Sequence, residues 1–324
     1  RDFTHQKNIV GLDLAKAKLV KKEQDILYSA IDAYTGLILA REKLNINRRN
    51  LNLLIRQVET DKVRLDRGQI TITDLSQSES SLAEAQAQFT QSTSDLLISK
   101  LNYENIIGKV DDPSKLKKSL NSIVSIPGSL SKAISLSKEN NPDIKIAELE
   151  LTQSEKDIEI SEADLKPTAT LSLERSYTYD LSSTYDEREK DVLKATVSWP
   201  FYSGGKKRSK INKSSNITSR KRLLLEDAIK TNETNVSSAW SSLEASKGFL
   251  NSVRAQVRAA KIANEGISAE YERGSRTTLD VIQSNSLLLS AQISLANSER
   301  NYLLSQYSLL KAAGLLNKEY LKLK

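Results

Sequence analysis

Arg273-Gly-Ser-Arg-Thr-Thr-Leu-Asp280 answers Arg67-Gly-Gln-Ile-Thr-Ile-Thr-Asp74 at an offset of 206 residues. Both stretches read Arg-Gly and then Thr-x-x-Asp. The same offset relates Ala33-Tyr34 to Ala239-Trp240 and Ala85-Gln86 to Ala291-Gln292. A spacing that holds without drift over that interval marks an internal repeat, and each copy must then be one structural unit.

Working outward from the stretch, each unit reads as helix, turn, helix. In the first copy Leu27, Ile31, Tyr34 and Ile38, and later Leu51, Ile55 and Val58, recur by threes and fours. That spacing places one apolar stripe along a helix, predicted to end near Leu65. Gly68 and Gly274 stop the helices, because glycine accepts the left-handed conformation that a helix C-terminus needs. Thr71-x-x-Asp74 and Thr277-x-x-Asp280 then open the next helices as capping boxes, with the carboxylate favourable at a helix N-terminus. The seams that follow are Leu82, Ala85, Phe89, Ser92, Leu96, Ser99, Tyr103 and Leu288, Ala291, Leu295, Ser298, Tyr302, Ser305, Leu309. Their 3-4 rhythm is that of coiled-coil packing. Large residues alternate with small ones, so more than one neighbouring helix is expected against each seam. A helix from Lys206 to Tyr271 would run roughly 100 Å, which suits a rod or the stave of a tube.

Between the copies the period changes. Asp111-Asp112-Pro113, Pro127-Gly128 and Asn141-Pro142 punctuate a linker, and a helix is predicted from about Asp143 to Leu165. After Pro167 the side chains alternate. Ala169, Leu171, Leu173, Arg175, Tyr177 and Tyr179 share one face, with Thr170, Ser172, Glu174, Ser176 and Thr178 on the other. Beyond the polar stretch Asp180–Asp191, Leu193, Ala195, Val197 and Trp199 alternate with Lys194, Thr196 and Ser198, and Pro200 and Ser203-Gly204-Gly205 close the second strand. Strands of about ten residues, apolar on one face with aromatics near the ends, fit a membrane-crossing β-hairpin. A hairpin resting on a soluble core has the same pattern. Arg175 interrupts the apolar face and is expected near an interface or at a bulge. A lone hairpin in lipid leaves unsatisfied edges, so a membrane-inserted one requires strands from other copies of the chain.

Composition bounds the chemistry. The 324 residues hold 48 Lys and Arg against 41 Asp and Glu, a net charge of +7, with only 5 % aromatic residues. The basic excess is spread along the chain and reads as solvated helix faces; nucleic-acid binding would need it focused beside stacking aromatics. Without cysteine there is no disulfide framework, Cys-ligated metal or thiol nucleophile. No Met stands at position 1, so the chain is read as a processed or trimmed product. No run of 18 apolar residues is present for a membrane-spanning helix. His5, the single histidine, stands near the start and is assigned no catalytic or metal role, and Gly204-Gly205-Lys206 lacks the spacing of a phosphate loop. No cluster has catalytic spacing, and no enzyme activity, metal or cofactor is expected. Lys206, Lys207, Arg208 and Lys210 read as a solvated helix start, with contact to anionic groups at a membrane surface as the second reading.

Together Tyr271-Glu-Arg-Gly-Ser-Arg-Thr-Thr-Leu-Asp-Val281, its copy Arg67–Asp74, Trp199-Pro-Phe-Tyr-Ser-Gly-Gly205 and Asn141-Pro142 resemble the TolC-like outer-membrane factors of Gram-negative efflux and type I secretion systems. The resemblance runs along essentially the whole chain. It implies a mainly α fold: long coiled-coil hairpins in two repeats that build a trimeric periplasmic α-barrel, plus a transmembrane β-hairpin for a shared outer-membrane β-barrel. Segments then fall at 1–105 (first helical hairpin), 106–142 (linker or equatorial segment), 143–165 (helix), 166–205 (β-hairpin), 206–311 (second helical hairpin) and 312–324 (C-terminal segment). It implies a homotrimer in the outer membrane, most of the chain in the periplasm, working with a periplasmic adaptor and an inner-membrane transporter, with no nucleic acid. Leu171, Leu173, Leu193 and Val197 would face lipid, with Tyr177, Tyr179 and Trp199 at the bilayer interfaces. At the turns, Asp280 would supply a carboxylate ring at the channel constriction, and rings of this kind favour cations. Arg276 and Tyr271 would link to Thr73 and Asp74 of a neighbouring hairpin and hold the entrance shut. Where the best-known members carry a second acid one turn after Asp280, this chain has Gln283. Family members also carry a strand pair in each repeat; stepping back 206 residues from 167–205 falls before residue 1, so a missing N-terminal portion is expected. The competing expectation is a soluble periplasmic coiled-coil adaptor or scaffold without a pore, which would carry further β-rich domains.

Overall fold

The computed structural model describes residues 2–110, 112–118, 125–182 and 185–317. Its elements are α1 (Asp2–Asp66), α2 (Ile72–Ile106), a short 3-10 turn (Pro113–Lys115), α3 (Leu130–Asn140), α4 (Pro142–Ala163), β1 (Thr168–Ser182), β2 (Tyr185–Ser198), α5 (Lys206–Glu272) and α6 (Thr278–Ala312). They gather into two compact units. One comprises Arg1–Leu19 and Pro142–Lys230, the other Val20–Asn141 and Thr231–Lys324.

In the first unit the start of α1, α4 and the start of α5 pack through small and paired polar residues. Ser154, Ser161 and Thr218 are buried. The Thr218 hydroxyl donates to the Ser154 carbonyl at 3.1 Å, and the Ser161 and Ser214 hydroxyls meet at 3.0 Å. Lys7–Asp157 and Lys221–Glu150, each at 2.6 Å, bracket the contact. Two residues of the expected basic cluster have a partner: Lys210 pairs with Asp164 at 2.6 Å and Lys207 donates to the Asp164 carbonyl.

The two strands form one antiparallel pair. Its register sets Ala169 opposite Val197, Leu171 opposite Ala195 and Leu173 opposite Leu193, so the apolar residues do share a face. That face is uncovered: Leu171, Leu173, Leu193 and Val197 are each 70–78 % exposed. The strands are 15 and 14 residues long, longer than expected. The polar stretch placed between them is largely β2 itself, and two of its charges, Glu189 and Asp191, find a cross-strand partner in Arg175. Arg175 stands opposite Asp191, pairs with Glu189 and Asp191, and lies over the Tyr177 ring. No register shift occurs at Arg175. The irregularity comes later, between Tyr179 and Ser182.

In the second unit the buried seam residues are Ala85, Ser92 and Tyr103 on α2, and Ala291, Ser298 and Leu309 on α6. Leu82, Phe89, Leu96, Leu288 and Leu295 are half-buried beside them. On α1 Val58 is buried as expected and Leu51 is half-buried, but Ile55 is exposed and the adjacent Leu54 is buried in its place, with Asp61 next on the seam. The thickest core lies around α3, where Ala133, Val236, Ala239, Leu243 and Leu309 cluster, with Leu310, Ala313, Leu315 and Leu316 in a second cluster. Asn141 is the buried polar joint here. Its amide donates to Asn232 at 2.7 Å and to the Ala312 carbonyl at 2.9 Å, and Asn232 donates to Ser137 at 2.8 Å. Gly314, at φ 73°, closes α6. A Cβ there would stand 2.3 Å from the Asn140 carbonyl oxygen, so no other residue fits. Within the expected linker, 112–118 is strapped to the helices: Arg41 donates to the Pro113 and Leu116 carbonyls, and Lys118 pairs with Glu42 and Glu299.

Candidate functional site at the helix turns

The two turns are built alike. Gly68 (φ 68°) and Gly274 (φ 79°) take the left-handed conformation. The Gly68 N–H donates to the Leu65 carbonyl and the Gln69 N–H to Arg64, both at 2.8 Å; Gly274 and Ser275 repeat this with Tyr271 and Glu270, both at 3.0 Å. These paired bonds are Schellman motifs, which satisfy the last carbonyls of α1 and α5. Both predicted capping boxes form. Asp74 Oδ2 accepts from the Thr71 N–H at 2.9 Å and the Thr71 hydroxyl at 2.7 Å, and the Asp74 N–H donates back to that hydroxyl at 3.2 Å. Asp280 does the same with Thr277 at 3.0, 2.9 and 3.2 Å. The backbone N–H first, then the hydroxyl, hold both carboxyls below the usual aspartate range. Each is therefore an anion at neutral pH. Oδ1 of each has no partner among the described residues. Thr73 and Gln283 are exposed.

Within this chain Arg276 and Tyr271 have partners other than Thr73 and Asp74. Arg276 Nε donates to Glu270 at 2.7 Å, across its own turn, and this bond raises its pKa. The Tyr271 ring is buried, and its hydroxyl donates to Asp61 at 2.6 Å. Within this chain neither reaches Asp74.

Asp61 is the residue that sequence reasoning passed over. It has no exposed surface. Its carboxylate also accepts from Ser78 at 2.5 Å and from the Gln57 amide at 3.0 and 3.1 Å. Arg64 lies 4.2 Å over the Tyr271 ring and donates to the Tyr271 carbonyl, and the Tyr271 and Thr278 hydroxyls meet at 3.3 Å. Residues from α1, α2 and α5 thus meet on one buried carboxylate, and Thr278 of α6 joins them through the Tyr271 hydroxyl. Burial first, then the bond to Asp61, push the Tyr271 phenol up from its ordinary value, so it remains a donor. A buried charge persists only where hydrogen bonds replace its water, and here four donor contacts do so.

The family described as outer membrane efflux protein matches residues 133–315. The chain belongs to this family. It is 28 % identical over 309 residues to the outer membrane efflux protein BepC of Brucella suis biovar 1 (strain 1330), covering 95 % of this chain and 67 % of that protein. It is 22 % identical over 326 residues to the alkaline protease secretion protein AprF of Pseudomonas aeruginosa, covering 98 % and 67 %. The chain thus spans about two thirds of the length of these relatives. Its fold is that of the Campylobacter jejuni CmeC outer membrane channel, with a TM-score of 0.82 at 15 % identity over 97 % of this chain and 67 % of that one. The resemblance to TolC-like channels holds, and so does the mainly helical channel fold. The protein's class is outer-membrane efflux and its place the outer membrane.

Proposed function

We propose that the complete protein is a homotrimeric conduit that receives solutes or unfolded polypeptide from an inner-membrane transporter, through a periplasmic adaptor, and releases them outside the cell. The observation that carries this is the uncovered hairpin. Its apolar face has no partner layer among the described residues, and a two-stranded sheet with open edges is stable in lipid only when other strands close it. Further copies of the chain supply such strands. BepC is named an efflux protein and AprF a secretion protein; this chain's cargo is of one of those two kinds. A conduit assigns no catalytic residue. The soluble adaptor reading leaves Leu171, Leu173, Leu193, Val197 and Trp199 in water.

The gate is the pair of turns. Asp280, with Asp74, lines the constriction through its free Oδ1, Gln283 replaces a second acidic ring, and Asp61–Tyr271 fastens the two turns of each chain. Arg276, exchanging Glu270 for Asp74 or Thr73 of a neighbouring chain, ties one subunit to the next. The decisive experiment is detergent sedimentation of the full-length protein from isolated outer membranes. A trimer supports the conduit; a monomer, or a protein absent from that membrane, rejects it.

A further inference from the structure

The two faces of the β-hairpin treat charge differently. On the face with Leu171 and Leu173, the one cation, Arg175, is tied to Glu189 and Asp191, and the Tyr177 hydroxyl also donates to Glu189 at 2.9 Å. On the other face the register sets Ser172 opposite Lys194, Glu174 opposite Val192, Ser176 opposite Lys190 and Thr178 opposite Arg188. Three cations therefore line β2 on one side, against the single carboxylate of Glu174 among the side chains described there. Lys190, Lys194 and Arg188 are exposed, and none forms an ion pair among the described residues. Glu174 is diagonal to both lysines, about 7–8 Å away in strand geometry. It can attend one of them, and among the side chains described there the cations stay in excess.

Lys194 fixes which side this is. It lies between Leu193 and Ala195, level with the apolar band of the opposite face. A lysine at that height belongs on the water side of a membrane strand. If the apolar face meets lipid, the cation ladder lines the pore. Each copy around a three-fold axis repeats it, and like charges on a narrow, low-dielectric wall concentrate counter-ions beside them.

We propose that the Arg188–Lys190–Lys194 ladder makes the strand-built part of the conduit select for anionic solutes. The proposal rests on the conduit reading, and it names the substrate class the pore favours. It gives the channel two filters of opposite sign: carboxylates at the helix turns, and cations along the strands.

The test uses the full-length protein in planar bilayers under a salt gradient, with inositol hexaphosphate as a polyanionic probe added from the strand side. The combined variant Arg188→Gln, Lys190→Gln, Lys194→Gln is expected to lower the anion-to-cation permeability ratio by roughly twofold or more, and to raise the half-blocking probe concentration about tenfold. A parallel pair, Lys190→Cys and Leu193→Cys, is treated with a negatively charged, membrane-impermeant thiol reagent. Current that responds at 190 and not at 193, together with the shifted ratio, supports the proposal. Current that responds at 190 while the combined variant keeps the parent ratio and block overturns the ladder and leaves the conduit intact. Response at 193 and not at 190 overturns the assignment of faces, and the proposal with it. Because these side chains are exposed and form no ion pair among the described residues, the variants should assemble; trimer formation in detergent checks this before any current is read.

Discussion

The two turns share their caps and differ in everything beneath them. Arg67–Asp74 and Arg273–Asp280 form the same Schellman bonds and the same capping boxes. Below the first turn lies buried Asp61; the residue 206 positions later is Ile267. In the last turn of α5, just before the second turn, lies Tyr271, whose counterpart is Leu65. The duplicated part of the unit is what a turn needs to exist. The part that diverged is what lets one turn hold the other. A carboxylate from one copy and a phenol from the other make a bond that two identical copies could not make.

That contrast can be broken at its strongest point. Asp61→Ala takes the shared acceptor from the buried Tyr271 and Ser78 hydroxyls, and should cost about 3 kcal/mol, read as a lowered midpoint in denaturant unfolding of the full-length protein. Tyr271→Phe removes one donor and keeps the ring under Arg64, so it should cost about half as much, near 1.5 kcal/mol. No loss in Tyr271→Phe would mean that the ring, and not the hydrogen bond, joins the turns.

The shared part should respond symmetrically. Gly68→Ala and Gly274→Ala each force a Cβ into a positive-φ position with open space around it. Backbone strain alone then acts, about 1 kcal/mol in either turn. A much larger loss at one glycine would show that its turn is packed against something in the assembled protein.

The caps predict a pH response of defined sign. The folded-state pKa values of Asp74 and Asp280 lie below the ordinary aspartate value. Their contribution is therefore full above the unfolded pKa near 3.9. It fades as the pH falls through the lower folded values. Asp74→Asn and Asp280→Asn should each flatten the acid limb of a stability-versus-pH curve, and should do so to a similar, small degree.

The smallest stability effect is expected at Arg276. It is exposed and its pair with Glu270 is screened by solvent, so Arg276→Ser should leave the unfolding midpoint nearly unmoved. Its effect belongs to the pore: conductance in planar bilayers should rise, while Asp280→Ala should weaken cation selectivity and block by multivalent cations. Unchanged currents in both would keep the caps and discard the gate.

Much of this was legible from periodicity. Helix ends fell within a few residues of their predicted places, since glycine and the Thr-x-x-Asp boxes act over a single turn. The lateral position of the α1 seam was harder. Leu54 and Ile55 are adjacent apolar residues, and only the neighbouring helices decide which is covered. Strand length was underestimated, because a charged stretch looks like a loop until Arg175 is seen beside Glu189 and Asp191. Asp61 had a signal, a carboxylate in step with Leu54 and Val58 on a buried seam. It was hidden because comparison of the two copies shows only what they have in common.

The sequence by itself determined the local and repeated features: the two helix–turn–helix units, the caps with their anionic aspartates, and the two-faced hairpin. Each depends on residues a few positions apart, whose bonds form wherever the chain goes. The tertiary structure alone decided that Tyr271 finds Asp61, 210 residues away, that Arg276 turns to Glu270, and that Gly314 must lie against Asn140. Those choices depend on which helices come together, and a buried carboxylate takes the donors that packing brings to it.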